Sequence, residues 1–448
     1  MYKRGSTRFE ASFNPATEEV TAHVHEAQQE DVDDAVDAAV AAFPAWSSLG
    51  GFDRAAYFYR LADFMGRPIS TYKEPLASAR FLRYMAGKAT DIQGESSLQT
   101  AGFVNITLRQ PYGACAAITP WNAPVTMLTF KMAPALISGN TLVVKSSEKA
   151  PLTSIYIAKL MREVGFPPGV INVLTGFGRP CGEALASYMK IRKISLTGSV
   201  AAGKAVQEAA ARSNLKKVTL ELGGKSPLVI FDDAYLDRAA DEAALSILLN
   251  SGQDCIASSR VYIHESVASE FRPKLVRALE EKGQNPPGDN NPLSSGTRRG
   301  PQADRQQFER IQQFIKEVRE GSTEILTGGH REGEKGFYVQ PALVWKPNEK
   351  SRVMTEEIFG PVQCLTTFLN EDEVLARAND SEFGLYASVF TKDVSRALRF
   401  AKAFESGNVG VNVTSPMMTH DMPFGGVKQS GQGKELGSHG LEEWTELT

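Results

Sequence analysis

A chain of 448 residues, 42% hydrophobic and 23% charged, is long enough for two or three compact units with their own cores. Its formal charge of -3 gives no reason to invoke nucleic acid or an acidic membrane surface, and no apolar run approaches the roughly eighteen residues of a membrane span. The basic start Met1-Tyr2-Lys3-Arg4 lacks a following apolar stretch, so no signal peptide is expected. Cys115, Cys181, Cys255 and Cys364 have no paired spacing, which argues against a disulfide framework or a zinc site and for a reducing compartment, the cytoplasm by default.

In chain order, a strand from Ala116 is followed by a helix over 125–136, a strand over 141–145, a helix over 152–164 and a strand over 170–174. A helix over 182–188, a strand over 193–196, an alanine-rich helix over 201–211 and a strand over 217–221 close this run. A second set of strands is expected at 228–231, 260–264, 362–368, 386–390 and 409–413, again with helices between. Short β-rich segments alternating with ten-to-fifteen-residue helices predict an α/β protein with two doubly wound, mainly parallel sheets. The boundary is expected near Leu222, with the second sheet continuing to about Lys428. The stretch 99–111 reads as an extended ribbon between the units.

Several strings carry chemistry. Leu196-Thr197-Gly198-Ser199, followed by Gly203, is a strand ending in Gly-Ser at a helix start, which offers backbone N–H groups and a positive dipole end to a phosphate. Gly198 permits close approach, Ser199 adds a hydroxyl, and Gly203 lets the helix pack on the sheet. Lys145 and Glu148, three apart after a strand, can bracket a ribose; otherwise they are a solvated loop pair. Glu221-Leu222-Gly223-Gly224-Lys225-Ser226-Pro227 holds a carboxylate before a small-residue turn, and Gly252-Gln253-Asp254-Cys255 holds a thiol after one. A thiolate adds to an electrophilic carbon, and a carboxylate activates water to release the product. A helix start after Cys255 is expected to lower its thiol pKa. The other three cysteines read as small buried hydrophobes. Asn122, in Pro120-Trp121-Asn122, has an amide suited to holding an oxyanion. Alone, Asn122 reads as a turn residue, Glu221 as a strand-end carboxylate, Glu357 as a helix-end acid and Phe359 as a core aromatic.

Taken together with Glu357-Ile358-Phe359-Gly360-Pro361 and Pro423-Phe424-Gly425-Gly426-Val427-Lys428, these strings resemble the aldehyde dehydrogenase superfamily from about Phe13 to Trp444. The resemblance implies a Rossmann-like NAD-binding unit over 1–98 and 112–221, a catalytic unit over 222–430, and bridging segments at 99–111 and 431–448 that form an oligomer-making β layer. It implies Cys255 as nucleophile, Asn122 with the cysteine N–H as oxyanion donors, and Glu221 as general base. Trp121, Lys145, Glu148, Gly198, Ser199, Gly203, Leu222, Gly223, Glu357 and Phe359 are the implied cofactor contacts. Glu148 at the adenine ribose repels a 2′-phosphate, so NAD is expected over NADP. A substrate tunnel is expected from Ala123, Met127, Phe130, Asp254, Ile256 and Phe424, with Val413 and Thr414 near its mouth. Mostly apolar walls suit an aromatic or medium-chain aldehyde. No metal is expected, and the implied partners are a small aldehyde and further copies of the chain, as a homodimer or homotetramer.

Departures from the family pattern are confined to the periphery. Phe64-Met65-Gly66-Arg67-Pro68 runs almost directly into Glu74-Pro75-Leu76-Ala77, where the family has additional residues, and Lys434 stands where Arg is usual. Loss of a peripheral helix is expected to uncover apolar surface. Two other readings are a folded scaffold that has lost turnover, and a thiol hydrolase or transferase that needs no nucleotide. The latter leaves Lys145, Glu148, Ser199 and Glu357 without work.

Overall fold

The computed structural model describes residues 9–66, 73–285, 291, 292, 294, 297–416 and 418–448. The chain opens with a hairpin, β1 (Phe9–Asn14) and β2 (Glu19–His25), then α1 (Gln29–Ser47), α2 (Gly51–Met65) and α3 (Lys73–Gly87). Short strands β3 (Ser96–Ser97), β4 (Asn105–Ile106) and β5 (Arg109–Pro111) lead into β6 (Ala114–Ile118), α4 (Pro124–Ile137), β7 (Thr141–Lys145), α5 (Pro151–Glu163), β8 (Ile171–Leu174), α6 (Glu183–Ser187), β9 (Lys193–Thr197), α7 (Val200–Arg212) and β10 (Lys217–Glu221). Next come β11 (Pro227–Ile230), α8 (Leu236–Leu248), β12 (Arg260–His264), α9 (Ala268–Gly283), α10 (Arg305–Glu320), β13 (Ile325–Thr327) and β14 (Ala342–Trp345). The remainder is α11 (Arg352–Thr355), β15 (Val362–Phe368), α12 (Glu371–Asn379), β16 (Phe383–Gly384), β17 (Tyr386–Phe390), α13 (Val394–Ala403), β18 (Asn408–Val411), β19 (Val427–Lys428), β20 (Gly431–Gln432), α14 (Gly437–Glu442) and β21 (Thr445–Leu447).

Two sheets organise these elements, as the α/β pattern predicts. The first has the order β20-β10-β9-β6-β7-β8, parallel apart from β20. Thr141-Leu142-Val143-Val144-Lys145 is buried at every position, as a strand covered by helices on both faces must be. The chain builds outward from β6 to β8, then crosses back to place β9 on the other side of β6. The loops after β6 and β9 therefore diverge from neighbouring strand ends, the crevice where open α/β sheets take ligands. The second sheet has the order β13-β14-β15-β12-β11-β17-β18, with only β13 antiparallel.

Three expectations need correction. The second sheet ends at Val411, not near Lys428: Asn412 turns into the left-handed region at φ 53°, and Val427–Lys428 pairs with Phe383–Gly384 outside the sheet. The ribbon over 99–111 is interrupted: β4 folds back on β3, and only β5 continues to pair, with β21. The shortened connection between α2 and α3, of which Arg67–Tyr72 lie outside the described residues, leaves Phe58, Leu61, Phe81, Leu82 and Met85 fully buried, because the two helices pack directly on each other and on α4. The opening hairpin and the edge pair β13–β14 are not among the expected strands; β13 and β14 are short, with three and four residues.

Candidate active site

Several loops meet at one cavity of about 1030 Å3 between the two sheets. The first follows β6. Pro124 opens α4, where its missing N–H costs nothing, and this turns Trp121, Asn122 and Ala123 into the cavity wall. The Asn122 Nδ2 donates to the Gln253 carbonyl at 3.0 Å, and Asn250 Nδ2 donates to the Asn122 carbonyl at 2.6 Å. Both bonds tie this loop to the one that carries the cysteine.

That second loop leaves α8 through three consecutive left-handed residues, Asn250 (φ 49°), Ser251 (54°) and Gly252 (74°). Two of them carry a Cβ, at a cost of about 1–2 kcal/mol each for a conformation that L-residues avoid. A side chain at Gly252 would collide with the Gly360 backbone. This backbone, reinforced by Gln253 Nε2 donating to the Asn250 carbonyl at 2.9 Å, aims Cys255 at the cavity. The expected helix start is not there: Cys255 lies in a turn that runs straight into β12. Its thiol pKa is accordingly raised, not lowered. Burial pushes it well above the ordinary value, and Asp254, Glu357 and Glu221 push it further. Among the other cysteines, Cys115, Cys181 and Cys364 are buried, as expected of small hydrophobes.

Glu221 ends β10 and is only 4% exposed, with neither carboxylate oxygen hydrogen-bonded. Burial and the nearby Glu435 hold its carboxyl well above the usual range, against the opposing pull of Lys131 and Lys434. Lys131, itself fully buried, bridges Glu435 Oε1 at 2.5 Å and Ser195 Oγ at 2.9 Å. This ion pair at the cavity's floor was missed from sequence. The signal was a lysine in the otherwise apolar run Leu128–Ile137, where a charge needs a buried partner. Lys434 donates to the Gly425 carbonyl, a single bond that needs no guanidinium fork.

The loop before β15 brings Glu357 and Phe359. Glu357 Oε1 accepts from Gly224 N–H at 2.9 Å, and burial lifts its carboxyl to about 7. A Cβ at Gly223 would strike this carboxylate, so the Gly-Gly pair is required for the approach. Phe359, at φ 59°, meets the Trp121 ring edge-on at 5.2 Å. Gln307 and Arg310 from α10, not anticipated from sequence, hold this loop by donating to the carbonyls of Phe359 and Glu357, both at 2.7 Å.

Gly198, Ser199, Leu222 and Gly223 also line the cavity. Ser199 caps α7, its Oγ accepting from Ala202 N–H at 3.2 Å, so the helix's positive end faces the opening. Gly203 lies off the cavity, under Leu222, where a Cβ would clash; its contribution is packing. Lys145 and Glu148 form a 3.2 Å ion pair beyond the β7 end, also outside the cavity wall. All six proposed tunnel residues line the cavity. Val413 and Thr414 do not: Thr414 is buried in hydroxyl bonds with Ser258 and Ser388, and Pro416, Met418 and His420 take the wall position instead. Glu74 joins that wall, its Oε1 accepting from Thr126 N–H at the start of α4 at 2.8 Å.

A partly buried thiol, a poised amide and an unpartnered carboxylate stand beside a phosphate-suited helix end and an aromatic pair. That set is suited to a nucleotide-linked enzyme working through a covalent cysteine. Comparison with known proteins is specific. The family model described as Aldehyde dehydrogenase family matches residues 2–448, and the chain belongs to that family, whose members oxidise aldehydes to acids. It is 41% identical over 454 residues to Aldehyde dehydrogenase 1A1 of Mesocricetus auratus, covering 97% of this chain and 89% of the relative. It is 42% identical over 454 residues to Aldehyde dehydrogenase, cytosolic 1 of Mus musculus, with the same coverage. The NAD+ complex structure of aldehyde dehydrogenase from Bacillus cereus superposes with a TM-score of 0.93 at 35% identity, over 98% of this chain and 92% of that one.

Proposed function

We propose that this chain is an NAD-dependent aldehyde dehydrogenase in which Cys255, Asn122 and Glu221 carry the chemistry. The observation that carries the reading is a buried, unpartnered Glu221 carboxylate sharing one cavity with Cys255 and Asn122. The Cys255 thiolate, formed when the thiol gives up its proton to solvent, attacks the aldehyde carbon, and the resulting oxyanion is held by the Asn122 amide, one of whose N–H bonds remains for it beside the one given to Gln253. Once the carbonyl hydrogen has left as hydride, Cys255 carries a thioester. Glu221 then takes a proton from water, which attacks the thioester and frees the acid.

The residues fit a dinucleotide. Its phosphates suit the α7 end at Gly198 and Ser199, with Trp121, Leu222 and Gly223 around them, and Glu357 with Phe359 suits the nicotinamide end. Lys145 and Glu148 suit the adenine ribose, where Glu148 favours NAD over NADP. When bound, oxidised NAD supplies the hydride acceptor. The raised thiol pKa of Cys255 fits a site that is unreactive until the cofactor is in place.

The substrate is an aromatic or medium-chain aldehyde, as the walls from Ala123, Met127, Phe130, Ile256 and Phe424 suggest, with Asp254 beside the nucleophile. The two sheets support a cofactor unit over 1–98 and 112–221 and a catalytic unit over 222–430. Leu98, Phe103, Val104, Ile106 and Leu108 stand exposed on the β3–β5 segment, and their burial between copies supports a homodimer or homotetramer. A cytoplasmic location is supported by the cytosolic mouse relative; among the described residues no helix is long and apolar enough to cross a membrane. NADH formation across a panel of aromatic, aliphatic and semialdehyde substrates tests the reading, which fails if no aldehyde is oxidised by folded, NAD-binding protein.

A further inference from the structure

Lys149 belongs to none of the roles above, yet it lines the same cavity as Trp121, Gly198 and Ser199. Its Nζ lies 5.2 Å above the Trp121 ring and 2.6 Å from Asp304 Oδ2. The two side chains come from different parts of the fold: Lys149 from the loop after β7 in the first sheet, and Asp304 from the N-cap of α10, outside the cavity lining. Both are largely covered, at 20% and 31% exposure, so their attraction is screened less than that of a surface pair. Asp304 has a second duty, its Oδ1 accepting from Gln307 N–H at 2.8 Å to cap α10. Gln307 in turn holds the Ile358 and Phe359 carbonyls, at 3.0 and 2.7 Å. The Lys149–Asp304 pair thus links the phosphate end of the cavity to the loop carrying Glu357 and Phe359.

A dinucleotide pyrophosphate brings two negative charges to the Ser199 end. Arg310, the other lysine or arginine lining the cavity among the described residues, donates to the Glu357 carbonyl. Lys149 is the one placed over Trp121, with a flexible stem long enough to exchange an aspartate for a phosphate oxygen. We propose that Lys149 is a cofactor-binding latch: it pairs with Asp304 in the cofactor-free protein and transfers to the pyrophosphate when the dinucleotide binds. The proposal rests on the dinucleotide reading above. Its particular consequence is that the two partners act in opposite directions. Lys149 assists binding, whereas Asp304 competes for the same ammonium and weakens binding.

Titration of the full-length protein with NADH, followed by calorimetry and by Trp fluorescence, tests this without turnover. Lys149→Gln is expected to raise Kd about tenfold and flatten its salt dependence, as loss of one charge-assisted contact requires. Asp304→Asn keeps an oxygen to cap α10 while removing the charge, and is expected to lower Kd about threefold. The double variant should bind as weakly as Lys149→Gln alone, since freeing an absent ammonium gains nothing. Parallel weakening by both single variants would make the pair a structural strut and overturn the proposal, as would equal Kd in all proteins. Absence of NADH binding by the unaltered protein would overturn the dinucleotide reading itself, and the latch with it.

Discussion

Glu221→Gln separates the two halves of the proposed reaction. The substitution keeps the shape of a side chain that accepts no hydrogen bond, and it leaves the Lys131–Glu435 pair at 2.5 Å untouched. Stability should therefore change little; removing a carboxylate from beside Glu435 offsets the cost of burying an amide. Acylation and hydride loss depend on Cys255 and Asn122, so a rapid-mixing experiment should still give an NADH burst near one equivalent per site. Steady turnover needs the base and should fall by about 100- to 10,000-fold, or about 2.7–5.5 kcal/mol in the deacylation barrier. The raised pKa of Glu221 sets the sign of the pH effect. The carboxylate works when deprotonated, so turnover of the unaltered enzyme should climb with pH above the ordinary carboxylate range, and the variant should lose that dependence. Loss of the burst together with turnover, in folded protein that binds NAD, would mean that Glu221 serves the thiol instead. An unchanged steady rate would leave it no catalytic part.

Other outcomes follow from the same geometry. With its thiol pKa raised by burial and three carboxylates, Cys255 in cofactor-free protein should be alkylated by iodoacetamide slowly at pH 7 and about tenfold faster per pH unit up to pH 9; a plateau below pH 8 would contradict the assigned environment. Glu148→Thr should narrow the kcat/KM advantage of NAD over NADP, and a wild-type preference for NADP would displace Glu148 from the adenine ribose. Lys131→Met strands the buried Glu435 and should cost about 3–5 kcal/mol in denaturant titration, with most of it recovered in Lys131→Met/Glu435→Gln. Ile106→Asp should reduce the oligomer seen by light scattering without unfolding the protomer, and an unchanged mass would place the interface elsewhere.

The sheets were legible because each central strand is a short apolar run followed by a strongly periodic helix; the spans 141–145, 217–221, 260–264, 362–368 and 386–390 stand where the pattern placed them. The catalytic strings were legible because they match the family pattern; the helix opening at Pro124 is local, whereas Gly223 and Gly224 are required by close approach to Glu357 and to the Cys255 carbonyl. What escaped depends on contacts between distant segments. The partners of Lys131 and Lys149 are 304 and 155 positions away in sequence, so neither pairing leaves a local mark. The thiol environment of Cys255 differs from the sequence expectation mainly because the site buries it; Asp254 beside it and Glu357 and Glu221 from other loops add to that, and the local turn does not become a helix. Thr414 reads as a mouth residue by spacing, but its hydroxyl finds Ser258 and Ser388 and is drawn inside.

The central claim is that Cys255 carries the acyl group, and mass spectrometry of a trapped intermediate tests it most directly. Glu221→Gln protein mixed with NAD and an aldehyde that the unaltered enzyme oxidises, quenched in acid and digested, should show one acyl adduct per chain, confined to the Cys255 peptide and absent when NAD is omitted or when Cys255→Ala is added. An adduct on Cys115, Cys181 or Cys364, or sustained aldehyde oxidation by a Cys255→Ala variant, would contradict it.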